Sequence, residues 1–437
     1  MISRHLKRLA IPMTASALLA GSTMPSAYAL SSAEVQAPSV QDHNGSPSRL
    51  TAESVAAPVL SLEDDTEDTS VESAAYHPSR FLTLFEPDRI VRNFRSMKKV
   101  FPSHRIHPNK RGIYTFKQAP RSLPEFNYTF GGESLSFQEL LERTGTTSLL
   151  VLSDDTLWVE KYFRGNTRDS LATSWSISKS FTSALIGIAI DEGYIGSIED
   201  PITKYLPDLL GSGYDGVPIK HILNMTSGVD YPVYQEPYIS QWYRELFVEG
   251  RSFNKKMTTL TSAAPPGTFV YKGSDTQVLG MLLKKTTGRQ PSQYLEEKLW
   301  KPLGMESHAF WNTDLHGDDM TFAYLNATSR DYAKFGRLYL HNGNWNGKQL
   351  IPEAWVKETY TGSEGAPFYK NQWWIPADGL NTNEIFASGI YGQTIYVNQK
   401  ENIVIVKTSV ATKETETYEE IVAFREAIRQ LKSAPAY

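Results

Sequence analysis

Cysteine is absent from all 437 residues, which excludes disulfides, thiolate metal sites, a cysteine nucleophile and a lipid-modified N-terminal cysteine. Strong charge of either sign is also missing. A formal net charge of −4 provides no global basic field of the kind that draws a protein to nucleic acid or an anionic membrane. There is no Gly-x-Ser-x-Gly elbow and no His-Glu-x-x-His, and the nine histidines do not cluster at metal-ligand spacing. No internal repeat points to a solenoid or propeller. What remains is a globular chain, 40% hydrophobic and 12% aromatic, ample for one large core or two adjoining ones and suited to a small-molecule substrate.

The N-terminus carries Arg4, Lys7 and Arg8, an apolar stretch from Leu9 to Ala20, and Ala27-Tyr28-Ala29. This pattern predicts a signal peptide over 1–29 and an exported protein, periplasmic or secreted. The stretch is broken by Pro12 and falls well short of the ~20 residues that cross a bilayer, so no membrane span is expected after cleavage. Residues 30–80 read as a disordered linker, with the acidic run Glu63-Asp64-Asp65-Thr66-Glu67-Asp68. Residues 81–145, where aromatics mix with Arg92, Arg95, Lys98 and Lys99, read as a lead-in that wraps the domain at 146–437.

Within that domain, Ser148–Leu152 and Leu157–Phe163 flank a polar turn and predict a hairpin. Gln393–Asn398 and Ile403–Ser409 predict a second, followed by a helix over Tyr418–Leu431. Helical patterns dominate between them, with a helical subdomain over about 176–365. Strands at both ends and helices in the middle imply an α+β fold: one antiparallel sheet built from distant segments, with packed helices beside it.

The chemistry concentrates at Ser176-Ile177-Ser178-Lys179, at the start of an apolar helical run. At i, i+3 spacing a hydroxyl and an amine share one helix face, and an amine made neutral by burial can take the serine proton. A bare Ser-x-x-Lys is common by chance; Trp175 before it and Phe181, Leu185, Ile186 and Ile188 after it place the motif on a buried helix. Trp175 to Ser183 resembles the first motif of the penicillin-recognising serine hydrolases, which include class C β-lactamases, D-alanyl-D-alanine peptidases and related esterases. Ile219 to Gly228 resembles the stretch after the nucleophile helix, and Pro266-Gly267-Thr268-Phe269-Val270-Tyr271 the approach to the second motif.

The resemblance implies a β-lactamase/transpeptidase-like fold, Ser176 as nucleophile, Lys179 as general base and Tyr271 as general acid/base, with no metal or organic cofactor. Two departures stand out: Gly273 occupies the place of the asparagine two residues after the tyrosine, and there is no Lys-Thr-Gly. The equivalent of the latter is Ser388-Gly389-Ile390-Tyr391-Gly392-Gln393, where the Ile390 N–H would join that of Ser176 in an oxyanion hole and Gly389 and Tyr391 would contact substrate. The plain alternative is a turn into a strand. With Tyr271-Lys272-Gly273-Ser274-Asp275-Thr276, these segments look like the aminohexanoate-oligomer (nylon oligomer) hydrolase branch, which cleaves linear amides and often carboxylic esters. In that branch a loop tyrosine contacts the amide, and Tyr238 is its match, although loop packing explains Tyr238 equally well. A β-lactamase or D-alanyl-D-alanine peptidase shares the nucleophile, and a non-catalytic envelope binding protein would share only the fold.

Overall fold

A computed structural model describes residues 80, 83–231, 244–247, 249–376, 378, 382–411 and 417–433. The expectations for residues 1–79 lie outside the described residues, as does Tyr238. Among the described residues no helix is long and apolar enough to cross a membrane.

Alternation of side chains along the strands explains how the main sheet is buried. On Thr146–Ser153, Leu150 and Leu152 enter one core cluster, and Leu149 and Val151 enter another on the opposite face. Gln393–Asn398 and Ile403–Ser409 divide alike, with Ile395, Val397, Val404 and Val406 on the first side and Tyr396, Ile403 and Ile405 on the second. A sheet that is apolar on both faces must be covered on both. The strand order is Tyr369–Lys370, Trp373–Trp374, Glu384–Gly389, Gln393–Asn398, Ile403–Ser409, Thr146–Ser153, Thr156–Tyr162 and Lys117–Gln118. Every pairing is antiparallel except the last, where Lys117–Gln118 runs parallel to Thr156 and Leu157.

Both expected hairpins form. Ser153 pairs with Thr156 across a two-residue turn in which Asp154 takes a left-handed φ of 53°, as tight hairpins require. Asn398 pairs with Ile403 to close the other. Helix Ser329–Leu340 lies on the first face, so close that a Cβ on Gly336 would meet Val404 Cγ1 at 2.6 Å. The second face is covered by Phe137–Arg143 and by Thr417–Ser433, whose Ile421, Phe424, Ile428 and Leu431 recur at helical spacing.

The interval 176–365, expected to be mostly helical, also holds strands. It contributes Ala309–Asn312 and Leu325–Thr328 to a second sheet, ordered Ser103–Ile106, Ala309–Asn312, Leu325–Thr328, Leu171–Thr173. All residues of those two inner strands are buried, so no in-out alternation marked them as strands. Because Phe424 is fully buried in the second cluster, Phe424→Ala should lower the unfolding free energy by about 3–5 kcal/mol, read from urea denaturation.

Candidate active site

From Ala172 to Ala189 every residue is buried except Ser176. Ser176 sits in a short 3₁₀ turn, Trp175–Ile177, that runs directly into the helix Ser178–Asp191. Side chains of a helix tilt toward its N-terminus, and Lys179 in the first turn therefore reaches back to the serine. Its Nζ lies 3.0 Å from Ser176 Oγ and donates to the Phe322 carbonyl at 2.6 Å. Desolvation alone pushes the lysine pKa down to about 7. A neutral amine here can donate to Phe322 O and keep its lone pair for the serine proton. The carbonyl loop is itself fixed, since Ser178 Oγ donates to Thr321 O at 3.0 Å and Thr321 Oγ1 to Thr276 O at 2.9 Å.

Tyr271 stands just ahead of the helix Gly273–Thr287, close enough to Ser176 for the serine hydroxyl to act on its phenol. Burial pushes the phenol pKa up, only partly offset by the nearby Ser176 hydroxyl, so Tyr271 is a protonated phenol at neutral pH. Lys179 Nζ lies 5.0 Å from the centre of its ring. The next residue, Lys272, is buried and donates to Val229 O at 2.7 Å, while Ser227 Oγ donates to Asp275 Oδ1 at 2.8 Å. These bonds tie the Thr226–Val229 loop to the tyrosine and to the start of its helix. Beside them, a Cβ at Gly273 would meet Phe322 Cδ2 at 3.2 Å. The Phe322 ring thus occupies the space toward which an asparagine at 273 would project.

The strand Glu384–Gly389 delivers its last residue against the serine turn. A Cβ on Gly389 would lie 2.4 Å from Ser174 O and 3.1 Å from the Ser176 backbone N, so only glycine permits this approach. Ile390, next in sequence, is partly buried and packs on the main core. Tyr391 is placed differently from its expected substrate contact: the ring is buried against Trp175, with ring centres 5.4 Å apart, and packs under the turn. Trp175, Tyr391 and Tyr324 all have left-handed backbones, with φ of 45°, 67° and 70°. Such conformations cost roughly 1–3 kcal/mol each and cluster where a site is held under strain.

A profile of the beta-lactamase family matches residues 136–427. The chain belongs to the beta-lactamase family. It is accordingly a serine hydrolase by family and by fold. This beta-lactamase-family chain is 28% identical over 299 residues to the 6-aminohexanoate-dimer hydrolase of Paenarthrobacter ureafaciens, an alignment covering 62% of this chain and 74% of that one. A solved Bacillus anthracis structure named as a candidate 6-aminohexanoate-dimer hydrolase matches with a TM-score of 0.72 at 26% identity, over 80% of this chain and 97% of its own. A family VIII carboxylesterase structure, at 14% identity and a TM-score of 0.52 over 68% of this chain and 97% of its own, shares the fold.

Two contributors to the site carry no motif. Phe322 supplies the lysine's acceptor, but a backbone carbonyl leaves no trace in sequence. Gln372 joins three helices: its backbone O accepts from Ser180 Oγ, its Oε1 from Thr276 Oγ1, and its Nε2 donates to Ile222 O and Leu223 O. Its left-handed φ of 62° aims the strand Trp373–Trp374, and Trp374 then packs on Tyr271 at 5.2 Å. Asp314, Asp319 and Arg330 are committed to the fold: Asp314 to the N–H groups of Phe253, His316 and Asp318, Asp319 to His104, and Arg330 to Glu160. Among the described residues no group of His, Cys, Asp and Glu is arranged to hold a metal ion.

The tight passage at Gly389 gives a direct test. Gly389→Ala should push the strand away from the serine turn and lower the rate at which a fluorophosphonate labels Ser176 by about 10²-fold, the scale of a misplacement of about 1 Å at a reacting group; far-UV circular dichroism should be unchanged.

Proposed function

We propose that the chain hydrolyses linear amides or carboxylic esters through an acyl-enzyme on Ser176. The observation that carries this reading is Lys179 Nζ at 3.0 Å from Ser176 Oγ, in a niche that brings its pKa to about 7. Lys179 accepts the Ser176 proton as Oγ bonds to the substrate carbonyl carbon. The resulting oxyanion accepts hydrogen bonds from the Ser176 and Ile390 N–H groups. The C–N or C–O bond then breaks, and the leaving amine or alcohol takes a proton from Tyr271, which Lys179 resupplies. Water attacks the ester with Lys179 again as base, releasing the acid and restoring Ser176.

The preference for linear amides and esters rests on Gly273 and the missing Lys-Thr-Gly, and on the names of the 6-aminohexanoate-dimer hydrolase relatives. Export rests on the Arg4 to Ala29 pattern and implies a mature chain beginning at Leu30.

Wild type and Ser176→Ala should be assayed side by side on p-nitrophenyl esters, the linear 6-aminohexanoate dimer and nitrocefin. The expected outcome is Ser176-dependent turnover of an ester or of the dimer that exceeds turnover of nitrocefin. Lys179→Ala and Tyr271→Phe should each lower turnover by about 10²–10⁴-fold in folded protein. Hydrolysis that survives Ser176→Ala removes the mechanism. Preferential, Ser176-dependent opening of nitrocefin moves the substrate class to β-lactams, and no fluorophosphonate labelling of wild type points to a non-catalytic binding protein.

A further inference from the structure

The described stretch ahead of the family match carries none of the chemistry above, yet three of its rings end at the site. Phe85 stacks on Trp175 and Tyr391, with ring centres 6.0 Å and 5.4 Å apart. Phe94 meets the same two rings edge-on at 5.4 Å and 5.2 Å, and Phe101 meets Tyr324 at 5.6 Å. Trp175 closes the group by packing on Tyr324 at 5.1 Å.

Each ring gripped in this way belongs to a residue with a left-handed backbone, a sparsely populated state for an aromatic residue. Each also lies beside a group the reaction needs. Trp175 precedes Ser176, Tyr391 follows Ile390, and Tyr324 is two residues past Phe322, whose carbonyl accepts from Lys179. A strained backbone persists only while its surroundings over-determine it. Aromatic contacts on three such turns hold the hydroxyl, the N–H and the carbonyl in one fixed relation.

We infer that Phe85, Phe94 and Phe101 are positioning residues, through which the N-terminal lead-in clamps the three strained turns that present Ser176, Ile390 and the lysine-binding carbonyl. The inference rests on the acyl-transfer reading of that site. Simple core packing would act otherwise: it would lower stability and the fraction of active molecules, while each active site turned over at the wild-type rate.

The test compares Phe85→Ala, Phe94→Ala and the rescue variant Phe85→Tyr with wild type and Ser176→Ala. Active sites are titrated with a fluorophosphonate, and turnover is read on p-nitrophenyl acetate. In both alanine variants kcat per titrated site should fall about 10–100-fold, the scale of a sub-ångström misplacement, with KM changed by less than about threefold. Phe85→Tyr, which keeps the ring, should recover most of that loss. Should Phe94→Ala fail to fold, Phe85→Ala decides, because Phe85 is only partly buried. Wild-type kcat per titrated site in a folded alanine variant would overturn the clamp alone. Turnover in wild type that does not depend on Ser176 would overturn the site itself, and the clamp with it.

Discussion

The contact on which the other features depend is Lys179 Nζ, held between Ser176 Oγ at 3.0 Å and the Phe322 carbonyl at 2.6 Å. An ammonium in this place would be solvated by two oxygens and aromatic faces, with desolvation as the dominant influence on its charge. Withdrawing it from water therefore favours the neutral amine, which is the form able to take a proton. The buried helix Ser178–Asp191 supplies the burial, and the Thr321–Phe322 loop supplies the acceptor. Tyr271, raised in pKa by the same burial, stays a phenol and complements the amine as a donor.

The departures from the penicillin-recognising pattern have a common physical consequence. Where an asparagine side chain would stand at 273, a Cβ would already touch the Phe322 ring, which lies 5.9 Å from Lys179 Nζ. On the closing strands, Lys407 is withdrawn from any ligand. It is buried and paired with Glu420 at 2.8 Å. Among the described residues, the broken pattern thus coincides with an aromatic ring beside position 273 and a lysine committed to an ion pair.

Elements with local signals were legible in the sequence. Apolar runs, rich in β-branched residues in the second pair, joined by polar turns marked both hairpins, and Ile421, Phe424, Ile428 and Leu431 recur at helical spacing on the last helix. Ser176, Lys179 and Tyr271 were legible because side-chain chemistry is written in residue identity, and the structure brings all three together. The strands Ala309–Asn312 and Leu325–Thr328 were not, because they are only four residues long, poor in β-branched residues and without in-out alternation. Tyr391 was assigned to the substrate side from its place beside Gly389, but a left-handed φ turns it inward to Trp175. Phe322 O and Gln372 escaped notice because backbone acceptors and hydrogen-bond hubs arise only when distant segments meet.

The pH dependence of Ser176 modification tests the central claim most directly. A fluorophosphonate should label Ser176 at a rate that rises about tenfold per pH unit in the acidic range and levels off near pH 7, where Lys179 loses its proton, and this dependence should vanish in Lys179→Ala. A wild-type rate that keeps rising to about pH 10, as for an ordinary lysine, or that shows no inflection between them, would contradict the account.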